Sequence, residues 1–567
     1  MEKFKKNKDI LILGSILSII ILLITIIQLK ATRFAYYWDY VRYYENSLSI
    51  IYHFGQSFGL GIKIVIYTIF YSDYNYLAAI FPSILMAILG KNRTIYTVGI
   101  TIFYYIPFIF IFLVTVKPFF EKSKYKNVYM TISTLTCLPI LIYLNYMGYV
   151  DVGGLILILL LFKITKKSNY GIKNNIIIGT ILMTLFFFRR WYMFYIISFL
   201  VTLFIFDLYS FIKYGANKEK FFKYLKKYLA IGITMIAIVV LTVVLNFILF
   251  KDDPTFKWEW GNFYIVKLLF NNYGDLYSGY NRPLSSDLIA IGNKFGYITI
   301  VLVWFSILIA IKNRKHIKEV LFLSTQTILC FILFENTQSH DVHHFLLYVV
   351  NIMLSVSYIF INSNKKVTKG IVISMLCINI ILSIPFCYKS SLVKGLRKYL
   401  IINSIDLNAL SRDDLEEFEK VNEEITRLSE GGTKKVYINA SSNVINDSMI
   451  YSYDKTTGKS FESKSFLLEV SHVDSRDNVP KTLKGADVVI VTNPDQLHMV
   501  PENQKIISYI NKIFLDEQYN NILCNNFEKI ENMKIGEVNI YFFKRIRDIT
   551  DNEYELFIEE AKQFIEK

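Results

Sequence analysis

The chain has 567 residues, of which 53% are hydrophobic and 16% aromatic, and its formal net charge is +15. Single soluble domains rarely run that long. The basic residues collect in short tracts between apolar runs, so the charge marks membrane topology rather than a nucleic-acid surface. Five cysteines, with no even framework and no CxxC spacing, support neither a disulfide scaffold nor a zinc site.

Lys3, Lys5, Lys6 and Lys8 precede a first apolar run over 10–29. Its length and the lack of a small-x-small cleavage site point to an uncleaved membrane helix. Further membrane helices are predicted over 95–116, 128–147, 150–165, 175–189, 191–212, 229–250, 296–312, 319–335, 344–362 and 370–388. That makes about eleven, most of them roughly the length that crosses 30 Å of hydrocarbon. The basic start and the tracts at 117–126, 163–173, 213–227, 312–318 and 365–369 occupy every second connection. By the positive-inside rule this set is cytoplasmic. The odd number of helices then places the C-terminal part outside.

Two outer connections are long, about 30–96 and 251–295. The first carries apolar stretches at 48–54, 58–71 and 76–89, broken by Gly55, Gly59, Gly61, Asp73 and Pro82. Broken semi-apolar runs suit helices lying in the membrane interface. The second is rich in Trp, Tyr, Asn and Asp. After about 390 no membrane-length run occurs. A helix is expected over 413–429, where Leu415, Phe418, Val421, Ile425 and Leu428 recur at helical spacing and Gly431-Gly432 follow. Strand-like runs at 435–439, 486–492 and 538–544, with a helix over 503–514, read as a small α/β domain. The uninterrupted apolar run 486–492 reads as a buried parallel strand. No GxGxxG and no P-loop lysine occurs, so nucleotide binding is not indicated. The expected fold is a polytopic α-helical membrane domain over 1–390 and an extracytoplasmic α/β domain over 391–567.

Four groups of residues could carry chemistry, and all fall on the outer side of this map. Asp39, in Tyr36-Tyr37-Trp38-Asp39-Tyr40, follows the first membrane helix by about ten residues. An aromatic-flanked carboxylate at an interface suits a general base, and an aromatic anchoring belt would leave the same pattern. Arg189-Arg190 stands between two apolar runs, where guanidinium forks suit a phosphate and would equally snorkel to headgroups. The run 335–344 holds Glu335, His340, Asp341, His343 and His344, three of the seven histidines within five residues. Such a cluster could ligate a divalent metal through Glu335, Asp341, His340 and His343, donate to a phosphate, or simply cap helices. The loop 251–295 offers Trp258, Glu259, Trp260 and Arg282, a mixture that suits sugars and also an ordinary interfacial loop. Few ionisable residues fall mid-membrane, which argues against an ion path.

This pattern resembles the GT-C superfamily of membrane glycosyltransferases, in the bacterial branch of protein mannosyltransferases and lipid A aminoarabinose transferases. The resemblance covers about residues 1–390. It rests on the first helix, the outer acid at Trp38-Asp39, and the long first loop closing with Asp73-Tyr74-Asn75-Tyr76-Leu77, an apolar stretch to Leu89, and Gly90 before Arg93. The Arg-Arg-Trp-Tyr junction and the His-rich loop look like further pieces of that architecture. Two features depart from it. Tyr40 follows Asp39 where the family often has a second acid, and Asp73-Tyr74-Asn75 replaces the common His-Pro-Pro. The resemblance implies a polyprenyl-phosphate-linked sugar as donor and Asp39 as base. Arg189, Arg190, His340, His343 and His344 are then expected at the donor phosphate, and Asp73, Trp258, Glu259, Trp260 and Arg282 at the sugar or acceptor. It implies membrane lipids around the helices, an extracytoplasmic glycan, lipid or protein as acceptor, and no nucleic acid. It fixes no cofactor, and a divalent metal is left open. The rivals are a polysaccharide or lipid transporter and an O-antigen-type polymerase.

Overall fold

The computed structural model describes residues 7–72, 74–166, 171–214, 217–251, 282–383, 390–405, 407, 410–457, 464–516 and 521–566. The described chain divides into two compact units. The first comprises described residues within Met1–Ala31, Arg42–Asn271 and Arg282–Ala409; the second comprises Thr32–Val41 and those within Leu410–Lys567.

The first unit is helical. Each of the eleven predicted apolar segments overlaps a helix. Six helices are long and apolar enough to cross a membrane: Lys8–Ala31, Arg93–Phe120, Tyr192–Lys213, Lys218–Phe250, Ile317–Glu335 and Val342–Asn362. Two bent pairs qualify when each is taken as one span, making up to eight among the described residues. Leu284–Phe295 and Tyr297–Asn313 meet at 93° about Gly296. Gly296 has φ +72, and a Cβ there would fall 2.7 Å from the Asn403 amide nitrogen, so only glycine fits the corner. The protein is a multi-pass membrane protein. The helices Val152–Thr165 and Ile172–Phe188 are shorter and apolar. Asp39–Gln56, Phe58–Tyr71 and Ile80–Leu89 fill the long first connection, on the three apolar stretches expected there.

Polar side chains join these helices where lipid offers them no partner. Asn145 donates to Thr25 at 3.0 Å and to Thr101 at 2.8 Å. Asn351, inside the almost wholly enclosed Val342–Asn362 helix, donates to Gln326 and to Thr327, and Gln326 donates to Ser198. By contrast, Lys218–Phe250 keeps most of its apolar side chains exposed, as a lipid-facing helix would.

The second unit has a four-stranded sheet in the order β1-β2-β4-β3: β1 Val436–Ile438, β2 Val488–Asn493, β3 Phe527–Ile535 and β4 Val538–Arg545. β1 and β2 pair in parallel, Tyr437 opposite Val489; β2 runs antiparallel to β4, which forms a hairpin with β3. Alternation sends Val488 and Ile490 to one face and Val489 and Val491 to the other. Helices Leu415–Leu428 and Asp447–Thr457 cover the first face, and Lys505–Leu515 and Asp551–Glu566 cover the second. Three of the strands lie on the predicted runs. β3 was not expected.

Candidate functional site

Asp39 is the first residue of the helix Asp39–Gln56, and it belongs to the second unit. Three hydrogen bonds and core packing tie the preceding segment there. Arg33 N–H donates to Leu410 O at 2.8 Å and Arg412 N–H to Arg33 O at 3.0 Å. Ala35 and Tyr37 enter the hydrophobic core that also holds Val436, Ile438 and Ile490. Trp38 N–H donates to Ser448 Oγ at 2.8 Å. The Trp38 ring meets the rings of Tyr37, His498 and His472 edge-on, at 5.1, 4.7 and 6.1 Å between centroids. The aromatic flank of Asp39 is therefore packed against protein, a different role from a belt at a lipid surface. The N-terminal end of a helix carries positive partial charge, which favours a carboxylate there.

In the first unit, the Arg189 side chain is 3% exposed and Asp151 is fully buried. Arg189 Nε donates to Asp151 Oδ1 at 2.6 Å and Nη1 to Tyr43 OH at 3.0 Å. The guanidinium lies 5.1, 4.9 and 6.0 Å from the rings of Tyr43, Tyr74 and Trp191, within cation–π range. Much of its donor fork is thus taken within the protein. Arg190 is only half-buried. Trp191 links this junction to the His-rich run: its ring is 5.7 Å from His343 and 5.5 Å from His344. Tyr149 stacks on His343 at 4.9 Å. The buried Trp191 Nε1 has no hydrogen-bond partner among the described residues.

The His-rich run divides into two parts. A turn of 3-10 helix, Val342–Phe345, turns His343 and His344 toward Trp191. Asp341 caps that turn. Its Oδ1 accepts from Val342 N–H at 2.6 Å, while its own N–H donates to His344 Nδ1 at 2.9 Å. The contacts with His343 and the Val342 amide favour the Asp341 carboxylate and lower its pKa to about 2. His340 faces elsewhere. Its Nδ1 lies 3.4 Å from Asp287 and 3.7 Å from Glu335, and its Nε2 is 2.6 Å from Tyr348 OH. Asp287, Glu335 and His340 offer ligand atoms within 4.8 Å of one another. One imidazole and two carboxylates suit a divalent cation. The Tyr348 contact aims Nδ1 at the two acids, as an outer partner orients a metal ligand. Burial holds His340 below its ordinary pKa, so the ring is neutral and able to ligate. Of the four metal-ligating residues expected from sequence, this set takes Glu335 and His340, leaves Asp341 and His343 outside, and adds Asp287. Arg282 adjoins it, its backbone N–H donating to Ser339 Oγ at 2.6 Å. Asp73, Trp258, Glu259 and Trp260 lie outside the described residues.

Sequence reasoning did not single out Asp287, Tyr43 or the Asp151 pairing. Asp287 reads as a routine first-turn helix acid.

The arrangement defines a class: a multi-pass helical membrane protein with an α/β unit at its C-terminus. No protein-family model matches the sequence, and no characterised protein matches it in sequence. Among solved structures the chain is similar to ArnT from Cupriavidus metallidurans bound to undecaprenyl phosphate. The TM-score is 0.52 at 9% identity, over 93% of this chain and 97% of that one. ArnT in the apo state aligns over 94% and 97%, also at 9% identity, with a TM-score of 0.49. At this identity the likeness is one of fold, and it is the fold that the GT-C resemblance implied.

Proposed function

We propose that this protein is an inverting membrane glycosyltransferase. It moves a hexose or pentose from polyprenyl phosphate to an extracytoplasmic glycan, lipid or protein. What supports this most is the fold shared, over 93% of its length, with a protein solved bound to undecaprenyl phosphate. In this reading the N-terminus is cytoplasmic, the helical part to about residue 390 carries the donor, and 391–567 is extracytoplasmic.

The chemistry is a single displacement. Asp39 takes the proton of an acceptor hydroxyl. The oxygen bonds to the anomeric carbon as the bond from that carbon to the phosphate oxygen breaks. Polyprenyl phosphate leaves with the electron pair. Arg190 and the His343–His344 edge offset its charge, and Arg189, held by Asp151, supports Arg190 and the Trp191 ring. His340 is assigned with Asp287 and Glu335 to a divalent ion rather than to the phosphate. Arg282, Trp258, Glu259 and Trp260 are assigned to the sugar or acceptor.

The test uses purified full-length protein and a panel of undecaprenyl-phosphate pentoses and hexoses, read by release of undecaprenyl phosphate. One donor is consumed by the wild type. Asp39→Asn keeps folding and loses turnover by about 100-fold or more, the scale for a general base. Near wild-type turnover in Asp39→Asn would exclude Asp39 as base.

A further inference from the structure

The second unit contains a polar network in which every link is short. Ser441 Oγ lies 2.8 Å from His472 Nδ1 and 2.7 Å from His498 Nδ1. His472 Nε2 is 3.2 Å from Asp447 Oδ1. The same Asp447 oxygen accepts from Ser448 N–H at 2.8 Å. Gln504 closes the network, donating from Nε2 to His472 O at 2.6 Å and accepting from His498 N–H at 2.9 Å. Gln504 Nε2 also lies 3.0 Å from His498 Nδ1, and the direction of each Ser441–histidine contact is set by the histidine tautomers. Two imidazole rings and one serine hydroxyl are thereby fixed in orientation.

Buried Ser441 has no exposed face, so the set is not arranged to attack a substrate. The network meets Trp38 at three points. Ser448 Oγ accepts the Trp38 N–H, and the His498 and His472 rings meet the indole edge-on. Trp38 has φ +44. A bulky residue seldom adopts that region and stays there only where its surroundings hold it. The next residue is Asp39, where the helix begins.

We propose that Ser448, His498 and His472 are positioning residues: they hold Trp38 in its left-handed conformation and so fix where the Asp39 carboxylate emerges. The second unit, which carries Asp39 itself, then also aims it through Trp38. The inference rests on Asp39 being the base. It adds the device that aims it, which accounts for an α/β unit retaining a segment 410 residues away in sequence.

The variants are Ser448→Ala, Ser448→Thr and His498→Ala, each in the full chain, measured with the undecaprenyl-phosphate sugar that the wild type consumes. Ser448→Ala and His498→Ala lower kcat about tenfold while leaving the donor KM within about twofold, as expected when a reacting group is misaimed and donor binding is left intact. Ser448→Thr, which keeps the acceptor oxygen, recovers most of the rate. A second measurement needs no sugar. With cysteine placed by Asp39→Cys, adding Ser448→Ala changes the alkylation rate of that thiol several-fold, and Ser448→Thr restores it. An unchanged kcat and an unchanged alkylation rate in folded Ser448→Ala would overturn the proposal, as would a loss carried by KM. If those results occur while Asp39→Asn is inactive, only the positioning fails. If Asp39→Asn is active, the base assignment fails first.

Discussion

Asp151 and Arg189 form a buried ion pair that ties structure to the phosphate reading. Both side chains are essentially inaccessible and meet at 2.6 Å. Replacing Asp151 with Ala leaves a guanidinium enclosed by Tyr43, Tyr74 and Trp191 with no counter-charge. Breaking such a pair costs about 3–5 kcal/mol. Asp151→Asn keeps one acceptor oxygen and should cost less, about 1–3 kcal/mol. Removing both charges with packed apolar groups, Asp151→Leu with Arg189→Met, should recover most of the loss, because desolvating the pair already offsets much of its attraction. Thermal melts of detergent-solubilised protein should therefore rank wild type and the double variant above Asp151→Asn, with Asp151→Ala lowest. Affinity for undecaprenyl phosphate should follow a different order. The double variant, though stable, should bind about tenfold more weakly, about 1.4 kcal/mol, because Arg190 and the Trp191 ring lose the neighbour that holds them. A stable Asp151→Ala would refute the energetic argument. A double variant that binds undecaprenyl phosphate like wild type would remove Arg189 from any part in holding the phosphate.

Two further outcomes concern the second unit. Ser475 is exposed, so Ser475→Cys, with Cys524 replaced, should react with an impermeant thiol reagent on intact cells; labelling only after lysis would reverse the topology. Burial, with help from the charge of His472, pushes His498 down from 6.5 to about 4. The unfolded chain then binds the extra proton between those values. The stability His498 contributes is present above about pH 6.5 and is lost as pH falls toward 4, amounting to about 3 kcal/mol. His472 acts oppositely. Burial disfavours its cation, but Asp447 and Asp477 raise its pKa, so its contribution is present below pH 6.5 and fades as pH rises through the raised value. Between pH 7 and 4.5, His498→Asn should therefore lose less stability than wild type; equal losses would show that His498 is not held neutral.

The membrane helices were legible because hydropathy is a local property. So were β1 and β2, whose buried residues form continuous apolar runs, and β4, where buried Val538, Ile540 and Phe542 alternate along the strand. β3 was not, since its sequence FEKIENMKI is charged and mostly exposed, with fully buried residues only at its ends, Phe527 and Ile535. Asp39 and the Arg189-Arg190 junction stood out as charge at the edge of apolar runs. Their partners did not, since nothing in a sequence announces that Trp38 meets Ser448 or that Arg189 meets Asp151. The histidine cluster misled by proximity. His340 and His343 are three residues apart, yet the capped turn at Asp341 sends them to different neighbours.

The charged pattern of β3 has a consequence for life in a crowded bilayer. At the other end of the sheet, Val436 is bridged by the stretch around Leu467, with Leu468 N–H donating to Val436 O at 2.9 Å. Among the described residues, β3 has β4 alone as its sheet neighbour. Its Glu528, Lys529, Glu531 and Lys534 make the outer edge a poor template for another strand. Tethering to a membrane confines copies of the unit to a plane, where encounters between neighbours are frequent. Selection on this strand should therefore act on the presence of charge rather than on particular residues, leaving it free to drift in identity while barred from turning apolar.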